Sequence, residues 1–380
     1  MDIQTRLVHA GEEEKFAGAV VAPIFQSATF TSEAEQGYDE IRYLRLNNTP
    51  NHNGLHAKLA DISGGGAAVV TGSGMAAITT ALLALLKSGD HLLIQDCLYG
   101  GTHSFVSQDA PDLGIDCDFI AGNSPETWAA KLTPATKAIY VETMTNPLLE
   151  VADLQAVVAF AREHGLVSLI DNTFASPCNF RPLGMGFDIE LHSATKYLNG
   201  HSDIVAGVVI GSQKHIKTIA HKLNRFGGSL DTHACFLLHR GLKTLSLRMR
   251  QHDENGLQLA RFLAEQDAVL RVNYPGLRSH PQYERAQQLF SGAGGVLSLE
   301  LQGGVKTAER LLAGLRLPAS APSLGGVETL ITRPATTSHS SLSPAERAAI
   351  GVGDSLVRVA CGIEASEDLC ADFAQALAAI

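Results

Sequence analysis

The sequence predicts an α/β fold in which a mostly parallel sheet carries helices on both faces and a smaller C-terminal domain follows. The first observation is the length of 380 residues, which exceeds the roughly 150 residues of a typical single domain. The second is a series of short, apolar, partly β-branched segments separated by stretches of helical length. The third is a change of rhythm after about residue 240, where a long helical pattern begins.

Five apolar segments predict buried strands: HLLIQD from residue 91, KAIYVET from 137, VSLIDN from 167, FDIELHS from 187 and DIVAGVVIG from 203. The apolar spacing between them predicts helices over 75–86, 153–163 and 214–223. The later part combines the helical pattern LKTLSLRMRQHDENGLQLARFLAEQ, a strand candidate GGVLSLEL and a further helix. We therefore expect an N-terminal arm over 1–45 that contacts a neighbouring subunit, a large domain over 46–240 and an α+β C-terminal domain over 241–380.

The composition excludes several classes of protein. Hydrophobic residues make up 45% and charged residues 18% of the chain, which is typical of a chain that folds throughout. The formal net charge of -10 argues against nucleic acid as a partner. No segment has the length and apolar character of a signal peptide or a membrane span. The six cysteines show neither CxxC spacing nor clustering with histidines. We expect a cytoplasmic protein with reduced thiols, no metal and no membrane or nucleic-acid partner.

The segment TGSGMAAITTALLALL has small residues at the start of an apolar helix. The N–H groups of Gly74 and Met75 would point from the helix N-terminus at an anion such as a phosphate. The alternative is a glycine turn before a core helix, and the segment matches neither GxGxxG nor the Walker pattern.

In FDIELHSATKYLNGHSDIVAG, Lys196 follows an apolar strand and a run of hydroxyl residues. Partial desolvation lowers a lysine pKa, which an amine needs in order to form a Schiff base with an aldehyde cofactor. Ser193 and Thr195 flank Lys196 within reach of a phosphate. The alternative is a loop lysine at the surface.

Asp171 ends the predicted strand VSLID, where a carboxylate is costly unless a cation or several donors satisfy it. A pyridinium nitrogen is such a cation, and a helix-capping role is the alternative. Tyr99, at a strand-to-loop junction, could stack on a ring. Asn146, before a proline, could bind a phenolic oxygen. A packing tyrosine and a turn asparagine are their alternatives.

In this order, the segments YxRxxN, SGMAA, YGGT, TNP, DNTFASP, SATKYLNGHSD, RGLKTLSLRM, SLGG and LVRVACGIE resemble the Cys/Met-metabolism pyridoxal phosphate enzymes. This family includes cystathionine synthases and lyases and methionine γ-lyases. The resemblance spans nearly the whole chain, and SATKYLNGHSDIVAG alone is highly specific. It implies the type I fold of PLP-dependent transferases, which is aspartate aminotransferase-like, and pyridoxal 5'-phosphate (PLP) as cofactor. It also implies a homo-oligomer, usually a tetramer made of two dimers.

The resemblance also implies a role for each matching residue. Lys196 would form the Schiff base, and Asp171 would bind the pyridine nitrogen. Asn146 would bind the phenolic oxygen, and Tyr99 would stack on the ring. The residues implied to form the phosphate cup are Gly74, Met75, Ser193 and Thr195.

Further roles that the resemblance implies concern a neighbouring subunit and the substrate. Tyr43 and Arg45 would reach across to the phosphate of the neighbour. Arg358 would clamp the substrate α-carboxylate, a bidentate task that suits a guanidinium, with help from Ser323 and Asn146. The residues expected to be catalytic are Lys196, Tyr99 and Tyr43.

The expected reaction is γ-elimination or γ-replacement on a homoserine-derived amino acid, as in cystathionine γ-synthases and γ-lyases. Lys196 would remove the Cα proton, and a γ-enzyme must then also remove a Cβ proton. The alternatives are a cystathionine β-lyase, a leaving group linked through oxygen as in canavanine or an O-acylhomoserine, and a catalytically silent binding protein.

The chain departs from familiar members at several positions. Pro322 stands where cystathionine γ-lyases and bacterial γ-synthases typically have Glu and bacterial β-lyases Tyr, and Gly101 stands where methionine γ-lyases have Cys. The arm motif that usually ends NPT reads NTP here, over 48–50. In the polar segment TRPATTSHSSL, Arg333 and His339 are available to meet a polar distal group of the substrate, whereas a solvated arginine at the rim is the alternative.

Overall fold

The larger of two sheets carries the predicted parallel arrangement. In a computed structural model, which describes residues 1–32, 37, 41–340 and 342–380, this sheet has the strand order β1-β7-β6-β5-β4-β2-β3. Its strands are β1 (Ala67–Thr71), β2 (His91–Gln95), β3 (Asp116–Ile120), β4 (Thr136–Glu142), β5 (Val167–Asp171), β6 (Ile189–Ser193) and β7 (Gly207–Gly211). All neighbours from β6 to β3 pair in parallel, which confirms the mostly parallel prediction.

β7 is antiparallel to both β6 and β1. The segment 194–206 between β6 and β7 contains no helix, and a parallel return would need a crossover of about a dozen residues, usually helical. The strands β1 and β3 were not predicted. β3 is a partly exposed edge strand of alternating polarity, DCDFI, so it gives no continuous apolar signal.

The smaller sheet has the order β10-β11-β12-β9-β8. Its strands are β8 (Val269–Asn273), β9 (Val296–Leu301), β10 (Ala319–Ser320), β11 (Leu330–Thr332) and β12 (Val357–Ala360). The pairs β11–β12, β12–β9 and β9–β8 are antiparallel. β9 is the strand that GGVLSLEL predicted.

The helices of the described residues cover both sheets. They are α1 (Ile3–His9), α2 (Pro50–Ser63), α3 (Gly74–Leu85), α4 (Gly100–Ser104), α5 (Ala110–Asp112), α6 (Leu154–His164), α7 (Ser176–Asn179), α8 (Pro182–Met185), α9 (Gln213–Phe226), α10 (Thr232–Leu242), α11 (Leu245–Ala264), α12 (Tyr283–Leu289), α13 (Val305–Gly314), α14 (Pro344–Ala349) and α15 (Ser366–Leu377). A π-helical turn, Phe105–Asp109, joins α4 and α5. The helices α3, α6 and α9 match the predicted ones within a few residues.

Two apolar cores lie on opposite faces of the larger sheet. Leu169 and Ile170, adjacent on β5, enter different cores because successive side chains of a strand alternate between its faces. One core includes α3 and α9, and the other includes α2, α6 and α10. A third core joins the smaller sheet to α11, α13 and α15. The carboxyl ends of β4, β5 and β6 are thereby held rigidly from both sides.

The start of the predicted arm packs on its own chain. Leu7 of α1 is fully buried, Arg6 pairs with Asp61 at 2.7 Å, and Lys58 Nζ donates to the Leu7 carbonyl at 2.7 Å. Val20 is 81% exposed. Residues 33–36 and 38–40 of the arm lie outside the described residues, and the division at 45 and 240 stays a prediction. No helix among the described residues has the length and apolar character needed to cross a membrane.

Candidate active site

A cavity of about 630 Å³ lies where β4, β5 and β6 end, the usual position of ligands in open α/β sheets. Residues from the smaller sheet close its other side. The sequence-predicted residues that line it are Gly74, Met75, Tyr99, Asn146, Asp171, Ser193, Thr195, Lys196, Ser323 and Arg358. Tyr43 and Arg45 are not among its lining residues.

One end of the cavity is built to receive an anion. Ser73 caps α3, with its Oγ accepting from the Ala76 N–H at 3.0 Å, so the N–H groups of Gly74 and Met75 stand at a helix start without intrahelical acceptors. A Cβ on Gly74 would lie 2.8 Å from Cβ of Ser193, so only glycine allows α3 to begin against that serine. Thr195 Oγ1 accepts from the Ala206 N–H at 2.9 Å, which fixes the cup. α3 is also a core helix that begins at a glycine, so the alternative of a glycine turn before a core helix describes the same segment, and anion binding there stays a prediction.

Asp171 lies deep in the cavity. Its Oδ1 accepts from the Thr173 N–H at 2.9 Å and from the Thr173 hydroxyl, and burial raises its pKa. The next helix begins at Ser176 with Ala175 as its N-cap, so Asp171 caps no helix. A cation at the cavity side of this carboxylate, such as a pyridinium nitrogen, would favour its charged form.

Lys196 lies in the turn after β6 and faces the cavity, not the surface. Its Nζ donates to Ser323 Oγ at 2.5 Å. Burial, and then the positive charge of Arg358, lower the pKa of Lys196 from 10.5 to about 8. A far larger fraction of the amine is therefore neutral at physiological pH than for an ordinary lysine, as Schiff-base chemistry requires.

Arg358, on β12, is the cation at the opposite wall. Its Nη1 donates to Asn146 Oδ1 at 3.1 Å and its Nη2 to the Ser323 carbonyl at 2.7 Å, while its buried Nε has no hydrogen-bond partner among the described residues. Burial lowers the pKa of Arg358 to about 10, so it stays charged at neutral pH. An incompletely satisfied guanidinium on a cavity wall suits a carboxylate ligand.

Ser323 connects Lys196 to Arg358 from a strained backbone. Its φ is 102°, which a residue with a side chain rarely adopts. Gly325, two residues on, has a φ of 74°, and a Cβ there would lie 2.7 Å from the Tyr197 nitrogen. The SLGG segment is thus pressed against the turn that carries Lys196.

Tyr99 faces the cavity and is 43% exposed, so it is not a packing tyrosine. Its N–H donates to Glu142 Oε1 at 2.7 Å. A Cβ on Gly101 would lie 2.6 Å from Cε1 of the Tyr99 ring and 2.9 Å from Sδ of Met75, so this wall is filled without a side chain at position 101.

Several residues of the cavity were not predicted from the sequence, notably Glu142, Thr173 and Ser73. Glu142 carried the same signal that identified Asp171, a carboxylate at the end of a predicted buried strand. Thr173 lies two residues after Asp171, and its Oγ1 also accepts from the Ser193 N–H at 2.8 Å. It thereby joins the ends of β5 and β6.

Arg333 and His339 do not meet the distal end of a ligand in this chain. Arg333 pairs with Glu309 at 2.6 Å and donates to the Asp354 carbonyl, outside the cavity. Its side chain is only 11% exposed, so it is not the solvated rim arginine of the alternative either. His339 is 1% exposed and faces a small pocket beside Asp96 and His103. The residues of that segment that do line the large cavity are Thr337 and Ser338.

Tyr43 and Arg45 lie away from the cavity of their own chain. Tyr43 N–H donates to Asn48 Oδ1 at 2.9 Å, and Arg45 Nη1 donates to the Asn224 carbonyl at 2.8 Å. In the altered NTP motif, Thr49 caps α2 and accepts from the His52 N–H, with Pro50 in the first turn. The contact of Tyr43 and Arg45 with a neighbouring subunit stays a prediction.

The donor set fits PLP. A helix start with serine and threonine hydroxyls suits its phosphate, Asp171 suits its ring nitrogen, and Lys196 suits its aldehyde. No group of three His, Cys, Asp or Glu side chains among the described residues is placed to hold a metal ion. Fold and cavity together define a PLP-dependent enzyme of the type I fold.

Comparison with known proteins gives the family. The sequence profile described as "Cys/Met metabolism PLP-dependent enzyme" matches residues 4–378. The chain is 41% identical to the L-methionine gamma-lyase of Pseudomonas putida, over 99% of this chain and 97% of that protein. It is 40% identical to the cystathionine gamma-lyase of Bacillus subtilis (strain 168), over 99% of both chains.

Two further comparisons cover the whole chain. The cystathionine beta-lyase MetC of Bacillus subtilis (strain 168) is 40% identical over 99% of this chain and 96% of that protein. The crystal structure of cystathionine gamma-lyase from Lactobacillus plantarum complexed with L-serine has a TM-score of 0.95 at 36% identity, covering 100% of this chain and 99% of that one. This chain belongs to the Cys/Met-metabolism PLP-dependent enzymes, and PLP is its cofactor.

Proposed function

We propose that this enzyme catalyses γ-elimination or γ-replacement on an amino acid derived from homoserine. The observation that carries the proposal is the set of Lys196, Ser323 and Arg358, in which a readily deprotonated amine lies beside a buried guanidinium in one cavity. The guanidinium would bind the substrate α-carboxylate and so place Cα near Lys196. PLP supplies an electron sink for the charge that develops at Cα.

Lys196 has the proton-transfer role in this proposal. Its Nζ would accept the proton that leaves Cα, and in a γ-reaction it would also handle a proton at Cβ. Its lowered pKa, about 8, matches the general rule that a proton shuttle titrates near the operating pH. Ser323 Oγ, at 2.5 Å, orients the amine. Tyr99 would cover the ring and keep water from it.

The leaving group that we propose is linked through sulfur. The relatives named methionine gamma-lyase, cystathionine gamma-lyase and cystathionine beta-lyase support this choice at the level of the element. The space at Gly101 is filled, which does not support the cysteine typical of methionine γ-lyases. Pro322 lines the cavity where a carboxylate would bind the distal amino group of cystathionine, so this position does not support cystathionine binding of that kind. An oxygen-linked leaving group, as in canavanine or an O-acylhomoserine, is therefore included in the proposal.

A substrate panel tests the reaction. Purified holoenzyme is given cystathionine, methionine, homocysteine, canavanine and O-acylhomoserines with and without cysteine, and ammonia and keto acids are measured, with Lys196→Ala as the inactive control. We expect 2-oxobutanoate from at least one γ-substituted substrate, or consumption of cysteine with an O-acylhomoserine. Pyruvate from cystathionine without 2-oxobutanoate from any substrate would establish a β-lyase and overturn the proposal.

We further propose a homo-oligomer, a tetramer of two dimers, in which Tyr43 and Arg45 reach the phosphate site of a neighbour. Their position outside their own cavity supports this role. Light scattering should give a mass about four times 40.3 kDa. Arg45→Ala should weaken PLP binding without changing the cavity of its own chain. A monomer with full PLP affinity would refute the arrangement.

A further inference from the structure

We propose that Glu142 is a positioning residue that holds Tyr99 over the PLP site as an uncharged carboxylic acid. The inference concerns cofactor geometry and goes beyond the proposed reaction, since it does not depend on which amino acid is the substrate.

The contacts of Glu142 connect three strands at the cavity floor. It is the last residue of β4, it is 5% exposed, and it pairs in register with Asp171 of β5. Its Oε1 accepts from the Tyr99 N–H at 2.7 Å, and its own N–H donates to Gln95 Oε1 of β2 at 2.9 Å. The carboxyl group therefore determines where the loop after β2 leaves the sheet.

The surroundings of Glu142 favour its protonated form. Burial, and then the negative charge of Asp171, raise its pKa well above the ordinary value. Tyr140 on its own strand and Cys97 in the loop after β2 also lie near Glu142, and burial raises the pKa of both, so both are neutral at physiological pH. Lys196 and Arg358 line the same cavity but bond to Ser323.

Asp171 and Glu142 can thus differ in protonation state, with one carboxyl ionised and the other neutral. Asp171 accepts two hydrogen bonds from Thr173 and lies near His192, and both favour its ionised form. The backbone N–H groups of Tyr99 and Asn146 that bond to Glu142 do not offset its burial and the negative charge of Asp171. Two adjacent buried carboxyls ionise in two steps, because the first charge opposes the second. One negative charge, on Asp171, then faces the ring nitrogen, and Glu142 contributes its shape and its acceptor oxygen.

Tyr99 is also held on its other side. A Cβ on Gly100 would overlap the Ser338 carbonyl oxygen, so the backbone after Tyr99 packs directly against the segment that lines the cavity mouth. Glu142 and Ser338 together fix the backbone from which the Tyr99 ring projects into the cavity. Loss of the Glu142 acceptor would leave the Tyr99 N–H unsatisfied and allow the ring to tilt.

Three variants test the proposal in the PLP-loaded enzyme, with visible circular dichroism and the pH midpoint of the cofactor absorbance as readouts. Glu142→Gln keeps both the acceptor oxygen and the neutral charge, so both readouts should match the wild type. Glu142→Ala removes the acceptor, and Glu142→Asp moves it back by one methylene. Both variants should lose most of the visible dichroism, while the pH midpoint of the cofactor absorbance should move little. If Glu142→Ala fails to fold, Glu142→Asp carries the test.

The contrary outcomes are distinct. A midpoint that shifts by more than about half a pH unit in Glu142→Gln would mean that Glu142 carries a charge, and it would overturn the proposal. Unchanged dichroism in both Glu142→Ala and Glu142→Asp would also overturn it. Glu309→Gln, which alters a carboxylate outside the cavity, is the matched control. Because no readout uses a substrate, failure here is distinguishable from failure of the proposed reaction.

Discussion

Removal of the Arg358 charge should raise the pKa of Lys196 by about one pH unit. That pKa is lowered from 10.5 to about 8, with burial as the larger cause and Arg358 as the second. Both cations contact Ser323. Two like charges about 6 Å apart repel by about 3 kcal/mol at an effective dielectric of 20. This energy corresponds to a pKa shift of about 2 units, which we take as the upper bound for the effect of Arg358. Since burial accounts for more than half of the lowering, about one unit remains for Arg358.

Arg358→Gln tests this value without a substrate. PLP is added to the cofactor-free enzyme, and the rate of Schiff-base formation is followed by absorbance as a function of pH. The rate should rise through a midpoint near pH 8 in the wild type. In Arg358→Gln the midpoint should lie near 9, so at pH 7.5 the neutral fraction, and hence the rate, should fall about eightfold.

Arg333→Gln is the matched control, because this guanidinium pairs with Glu309 outside the cavity and should leave the midpoint unchanged. A wild-type midpoint near the ordinary lysine value would refute the desolvation argument. A midpoint in Arg358→Gln at or below that of the wild type would refute the role of the arginine charge.

Three further changes have defined outcomes. Lys196→Ala should bind PLP without covalent fixation by borohydride and lose turnover by roughly a thousandfold or more, and retained fixation would identify another lysine. Gly74→Ala places a Cβ 2.8 Å from Cβ of Ser193, so the Kd for PLP in equilibrium dialysis should rise about tenfold. An unchanged Kd would contradict the close approach of the α3 backbone to Ser193. Pro322→Glu adds a carboxylate to the cavity wall, so kcat/KM for cystathionine relative to methionine should rise about tenfold. A constant ratio would show that position 322 does not face the distal amino group of cystathionine.

Most of the site could be predicted because its residues follow strand ends, where sequence signals are strong. Asp171 and Lys196 come directly after apolar runs, and the carboxyl ends of neighbouring parallel strands must meet at one edge. The fold class followed from the same alternation. The antiparallel β7 was not anticipated, although the lack of a helical pattern in 194–206 contained the necessary information.

The rest could not be predicted because it depends on side-chain direction or on tertiary approach. His339 and Ser338 are adjacent in sequence, yet a turn in which the His339 N–H donates to the Pro334 carbonyl places Ser338 at the large cavity and His339 in the small pocket. Arg333 depends on Glu309, a partner on a separate helix. A sequence pattern specifies neither of these contacts.

Under the proposed roles, the distribution of charge along the cavity would orient an amino-acid substrate. Positive charge is concentrated at Arg358, whose buried Nε has no hydrogen-bond partner in the part of the chain that the structure describes, and negative charge at Asp171 on the floor. Ser323 binds both Arg358 and Lys196 from a backbone with a φ of 102°, a conformation that persists only where surrounding contacts enforce it. The spacing between Arg358, the proposed carboxylate-binding group, and Lys196, the proposed proton acceptor, is therefore set by one strained residue. Ser323→Gly should relieve the strain but lose the hydroxyl contact to Lys196, and we expect kcat to fall more than KM rises, because the amine loses its orientation while the guanidinium keeps its carbonyl acceptor.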